Sequence, residues 1–122
     1  RIHGDLWAGN VMWAITPGGR GTTGTLLDPS AHGGHAETDL AELALFRAPH
    51  LDSIIAGYQE VSPLADGWQH RVSVHQFHMM LVHAALYSGN YIPQALTLAR
   101  RLRGDAERSR QPVRLGTADL AS

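Results

Sequence analysis

The chain contains no cysteine among its 122 residues. That excludes disulfide staples and thiolate metal sites, and it fits a reducing compartment. No apolar run approaches the ~20 residues that cross a bilayer, and no signal peptide is visible, so no membrane partner and a cytoplasmic location are expected. Charge of one sign is also lacking. The formal net charge is −1, so no broad basic field exists to attract nucleic acid or acidic lipid. Disorder is excluded by 43% hydrophobic against 17% charged residues, a balance that supports one globular domain with a modest core. Internal repeats are absent.

What is present concentrates near the start. His3-Gly4-Asp5-Leu6-Trp7-Ala8-Gly9-Asn10 is followed by Leu26-Leu27-Asp28-Pro29. An HxDxxxxN stretch between apolar segments, then a carboxylate closing another apolar run, is the active-site grammar of protein-kinase-like phosphotransferases. The chemistry explains the residue types. A substrate hydroxyl needs an acceptor for its proton, the part expected of Asp5, which orients the hydroxyl and takes the proton late. The phosphates of ATP need Mg²⁺, whose hard-oxygen preference suits the Asn10 amide carbonyl and the Asp28 carboxylate.

The pattern around these residues predicts a β-hairpin. Val11–Ile15 is a short apolar strand, Thr16-Pro17-Gly18-Gly19-Arg20-Gly21 is turn chemistry, and Thr25-Leu26-Leu27 is the return strand. Such a hairpin brings Asn10 and Asp28 together at its open end. The Gly18–Gly21 run lacks the Lys-Ser/Thr ending of a phosphate loop and reads as a turn. Residues 29–36 read as a flexible loop. Helical patterns follow. Asp39 with Glu42 resembles a capping pair opening a helix to about Phe46, and Leu51 to Glu60 carries one apolar face. Asp66 with Gln69 opens a long helix to about Tyr87, closed by Gly89. Its near all-round apolar character over residues 77–86 predicts a central, buried helix. Pro93 opens a last helix ending at Gly104, where Arg100, Arg101 and Arg103 complement the helix dipole, and a frayed polar tail covers 105–122. The fold class expected is α+β, mainly helical, with the site on the hairpin.

Eight histidines invite a zinc reading through His75, His78 and His83. No HExxH pattern supports it, and packed or surface histidines are the expectation. Trp68 reads as a core aromatic. Trp7 reads equally as core or as part of a binding surface. His3 is expected to support the loop through hydrogen bonds, and Asp39 to brace it, to cap a helix, or both.

These residues together resemble the fructosamine kinase (ketosamine 3-kinase) family. The resemblance rests on His3-Gly4-Asp5-Leu6-Trp7-x-Gly9-Asn10-Val11, Asp28-Pro29, Gly34-His35-x-Glu37-x-Asp39-Leu40-Ala41 and Tyr58-Gln59-Glu60-x-x-Pro63-Leu64-x-x-Gly67-Trp68. It covers residues 1 to about 104. It implies the C-terminal lobe of an aminoglycoside-phosphotransferase-like, protein-kinase-like fold, with Asp5 as catalytic base and Asn10 and Asp28 holding Mg²⁺ and ATP. It further implies Trp7 beside the sugar, and Asp39 bracing the catalytic loop through backbone N–H groups. The implied substrates are ketosamines or other small sugar-amines and glycated protein, phosphorylated on the 3-hydroxyl, the start of deglycation.

The alternatives are another aminoglycoside- or choline-kinase-like small-molecule kinase, and a catalytically incompetent fragment lacking the nucleotide-clamping lobe. Departures from the family pattern are Ala36, where an arginine is usual, and Ala31 and His32, where aromatic residues are usual. The hairpin turn is also longer. Because the chain opens at Arg1-Ile2-His3, inside the presumed catalytic loop, it reads as a piece of something longer that is inactive alone. Self-association through the surface left by the other lobe is expected.

Overall fold

Two antiparallel strands and four helices make up a computed structural model of the chain, which describes residues 1–110. The polar loop leads into a short 3-10 turn, Ala8–Asn10, and then into strand β1, Val11–Ile15. Strand β2, Thr22–Leu26, returns in the register Val11 opposite Leu26 and Ile15 opposite Thr22. The return strand thus starts three residues earlier than its Thr25-Leu26-Leu27 reading. The turn is closed by the Thr16 N–H, which donates to the Gly21 carbonyl at 3.0 Å. Beyond the ladder, Leu27 N–H donates to the Asn10 carbonyl at 2.8 Å. That bond carries the pairing one step further and sets Asp28 beside Asn10.

Helix α1, Ala36–Leu45, begins three residues before the start that Asp39 and Glu42 suggested. Its cap is His35, whose Nδ1 accepts from Glu37 N–H at 3.2 Å. Asp39 and Glu42 do not cap it, because their carboxylates are spent on the loop, as described below. Helix α2 runs Leu51–Val61. Helix α3, Trp68–Tyr87, is entered through left-handed Gly67 with no side-chain cap, so the Asp66–Gln69 reading fails. The entry is held by Arg71, which donates to the backbone carbonyls of Asp66 at 3.0 Å and Ala65 at 3.3 Å. Helix α4, Tyr91–Arg110, starts two residues before Pro93, which the first turn tolerates. It runs through Gly104 to Arg110, so Arg100, Arg101 and Arg103 lie inside the helix and not at its end. The part of the expected frayed tail beyond Arg110 lies outside the described residues.

Leu6, Leu40, Leu43 and Ala48 form a core that ties the loop to α1, with Val11, Leu51, Ile54, Tyr58 and Leu64 packed against it. Met79 and Met80 of α3 and Ala95 of α4 are buried in the packing of these helices. Helix α3 is central, since it packs on both α1 and α4. It is not buried all round. Leu81, Val82 and Leu86 stay exposed, because its neighbours cover only part of its circumference. Trp68 is half-buried. No helix among the described residues is long and apolar enough to cross a membrane.

An ion pair between buried Glu37 and half-exposed Arg71 fastens α1 to α3. The Glu37 carboxylate receives Arg71 Nε at 2.9 Å and Nη2 at 2.6 Å, and His75 Nε2 lies 3.3 Å away. The Arg71 guanidinium holds the Glu37 carboxyl below its usual 4.5, against the opposing effect of burial. A depressed carboxyl contributes stability that is present above pH 4.5 and lost as the pH falls through the lower folded-state value. Arg71→Met is therefore expected to lower the melting temperature markedly at pH 7, with a smaller deficit at acid pH, where Glu37 is protonated in both proteins. Thermal melts across pH read this, and a pH-independent deficit would count against the ion pair.

Candidate active site

The polar loop holds its shape because α1 lends it two carboxylates. Asp39 Oδ2 accepts from His3 N–H at 2.8 Å, and its Oδ1 accepts from Gly4 N–H at 2.9 Å. Three residues further along α1, Glu42 Oε2 accepts from Leu6 N–H at 2.8 Å. Residues 39 and 42 share a helix face, so the N–H groups of His3, Gly4 and Leu6 are gripped from one side. Gly4 sits at φ +83°, and a Cβ there would collide with the Ser30 carbonyl oxygen and the His32 ring, so only glycine fits.

His3 uses both ring nitrogens. Nε2–H donates to the Leu27 carbonyl at 2.8 Å, and Nδ1 accepts from Asp5 N–H at 3.3 Å. The ring thereby links the Asp5 loop to the end of β2. Asn10 is buried, and its Nδ2 donates to both the Asp5 carbonyl at 2.8 Å and an Asp5 carboxylate oxygen at 3.2 Å. That assignment leaves the Asn10 Oδ1 as an acceptor with no donor among the described residues. Asp28 is exposed and adopts left-handed backbone (φ +49°), a conformation that aspartate tolerates better than most residues and that is enriched at functional sites.

Asp5, Trp7, Asn10 and Asp28 line one cleft of about 340 Å³. All three oxygen-bearing candidates therefore meet in one space, with Trp7, 44% exposed, at its edge. The Trp7 ring lies against Gly9, where any Cβ would overlap its six-membered ring. His3 and Asp39 stand behind the cleft as loop contacts. The opposite wall is one that sequence reasoning did not find: Phe46, His83, Tyr87 and Tyr91. His83 forms its hub, with ring centroids 5.1 Å from Phe46, 5.7 Å from Tyr87 and 5.3 Å from Tyr91. Spacing by four (83, 87, 91) was the available signal, obscured by the helix break at Ser88-Gly89. Glu42 was also missed in this role. A lone carboxylate inside Leu40-Ala41-Glu42-Leu43-Ala44-Leu45 was its mark.

Three groupings bear on metal. Asn10 Oδ1 and Asp28 offer the hard oxygens that suit Mg²⁺ and fit such an ion, because the amide nitrogen is already turned toward Asp5. Asp5, Glu42 and His83 place ligand-type atoms within 4.8 Å of one another, as do His35, Glu37 and His75. In the last group Glu37 is occupied by Arg71, so a cation there has to displace a guanidinium. His78 joins neither histidine grouping.

The fructosamine kinase family model matches residues 1–104. A "Probable ketoamine kinase" of Klebsiella aerogenes is 37% identical over 94 residues, covering 77% of this chain and 30% of that protein. A "Probable ketoamine kinase in tonB 3'region" of Klebsiella pneumoniae is 36% identical over 94 residues, covering 77% of this chain and 71% of its own length. The crystal structure of a "putative fructosamine-3-kinase" from Thermobifida fusca superposes with a TM-score of 0.74 at 48% identity, over 84% of this chain and 34% of that one. The chain thus spans about a third or less of the Klebsiella aerogenes and Thermobifida proteins, and its helices and hairpin are part of their kinase-like fold. On the family match and these relatives together, the chain belongs to the fructosamine kinase family.

Proposed function

We propose that the chain carries the catalytic part of an ATP-dependent kinase that phosphorylates a sugar hydroxyl of ketosamines. The observation that carries this reading is the shared cleft of Asp5, Asn10 and Asp28, with Trp7 at its edge. In the reaction the substrate hydroxyl oxygen bonds to the γ-phosphorus as the bond to the β,γ-bridging oxygen breaks. ADP leaves, and the hydroxyl proton passes to Asp5. Asp5 is far too weak a base to strip an alcohol beforehand, so its part is to align the hydroxyl and accept the proton as transfer proceeds. Asn10 fixes the Asp5 carboxylate through Nδ2. Asn10 Oδ1 and Asp28 would hold Mg²⁺, which supplies charge neutralisation on the phosphates. Trp7 offers a flat apolar face against which a sugar ring can rest. The names of the relatives support ketosamines over other acceptors.

The test is a chimera in which this chain replaces the matching segment of the Thermobifida protein. It is assayed for phosphate transfer from ATP to a ketosamine, an aminoglycoside and choline. Transfer to the ketosamine with the highest kcat/KM is expected, and a preference for either other acceptor would redirect the substrate assignment.

A further inference from the structure

Glu42 is the most deeply buried charged-type side chain among the described residues, at 0% exposure. Its Oε2 accepts from Leu6 N–H, while its Oε1 has no hydrogen-bond partner among the described residues. A buried acceptor without a donor is uncommon and asks for an explanation. The surroundings give one. Around this carboxyl stand Asp5 from the loop, His83 from α3 and Asp39 from its own helix. Its oxygen, an Asp5 oxygen and a His83 ring nitrogen lie within 4.8 Å of one another. Two carboxylates this close, one of them sealed from water, cannot both be ionised cheaply. Burial first, and then the negative Asp5 and Asp39 beside it, push the Glu42 carboxyl up to about 7.

A proton on Oε1 converts the orphan acceptor into a donor. Of the two nearby groups, the Asp5 carboxylate is the stronger acceptor for it. His83 is itself anchored through Nδ1 to the Met79 carbonyl at 2.9 Å. We propose that Glu42 is a positioning residue for Asp5, its protonated Oε1 donating to the Asp5 carboxylate from the buried side. With Asn10 Nδ2 on the same carboxylate, two donors fix its plane and still leave lone pairs free for the incoming hydroxyl. The role of Asp5 as base is taken from the proposed function; the Glu42–Asp5 pairing rests on the closeness of the two carboxyls and the burial of Glu42.

Glu42→Gln keeps a donor aimed at Asp5 and an acceptor for Leu6 N–H, whereas Glu42→Met fills the space with neither. The substrate-free arm is a carboxyl ¹³C NMR titration of the chain itself. Expected is one glutamate midpoint near 7, absent from Glu42→Gln and moved downward in Asp5→Asn. In the chimera, Glu42→Gln should stay within a few-fold of the parent kcat and lose any alkaline decline that the parent shows. Glu42→Met should lose about 10²-fold in kcat, the scale of a misplaced reacting group, with KM for ATP unchanged and folding verified by melting. A Glu42 midpoint near the ordinary 4.5 overturns the proposal, and so does full kcat in Glu42→Met. Since the titration needs no substrate, a chimera that transfers no phosphate even with Glu42 intact counts against the kinase reading alone.

Discussion

Asp5→Asn in the chimera is expected to lower kcat for phosphate transfer by about 10²–10⁴-fold, the range attributed to a positioned general base, with little change in KM for ATP. Asparagine preserves the size of the side chain and can still present an oxygen to Asn10 Nδ2, so the loop keeps its shape. What it loses is the carboxylate that, in the proposed reaction, orients the hydroxyl and receives its proton. Asp5 is only partly buried and faces the cleft, so the substitution removes chemistry without opening the core. Steady-state kinetics against ketosamine and ATP separately check the split. Undiminished kcat would remove Asp5 from its role, and a rise confined to KM would recast it as a binding group.

The second large effect is structural. Asp39→Ala is expected to destabilise the chain by about 2–4 kcal/mol, because it removes two charge-assisted hydrogen bonds and leaves the His3 and Gly4 N–H groups without acceptors. Asp39→Asn retains one good acceptor oxygen and should cost about half as much. Urea unfolding gives the free energies, and hydrogen exchange should show the His3 and Gly4 amides losing protection in both variants. Since the loop that Asp39 grips also carries Asp5, kcat in the chimera should fall with it. An alanine variant with unchanged midpoint and unchanged amide protection would contradict the brace.

The hairpin was legible in the sequence because its information is local. Apolar residues on either side of a glycine-rich turn define two arms, and equal arms place Asn10 and Asp28 at one end. The chemistry of phosphoryl transfer then makes sense of an amide and two carboxylates there. Helix starts were less legible. Asp39 and Glu42 have the spacing of a capping pair, but their acceptors were claimed by loop backbone 36, 35 and 36 residues away in sequence, a competition that no local pattern reveals. The same distance hid Glu42 as a neighbour of Asp5. His83 was read only as a packed or surface histidine, Tyr87 only as a helix end, and Tyr91 was given no role, because which face of α3 and α4 meets the loop is decided by tertiary contacts. The apolar sequence of α3 promised complete burial, yet hydropathy reports what a face can bury and not whether a partner is there. Leu86, at 68% exposure, marks the difference.

The central claim, that Asn10 and Asp28 hold the cation that accompanies ATP beside Asp5, has a direct test in the chain itself. Its only asparagines are Asn10 and Asn90, so ¹⁵N-asparagine labelling yields two side-chain amide signals, one in the cleft and one in the α3–α4 connection. Titration with Mn²⁺ and ATP reports even a weakly occupied site through paramagnetic broadening. The account predicts that the Asn10 signal disappears first and that Asp28→Ala restores it at the same Mn²⁺ concentration. Broadening of Asn90 ahead of Asn10, or an Asn10 signal indifferent to Asp28→Ala, would contradict it.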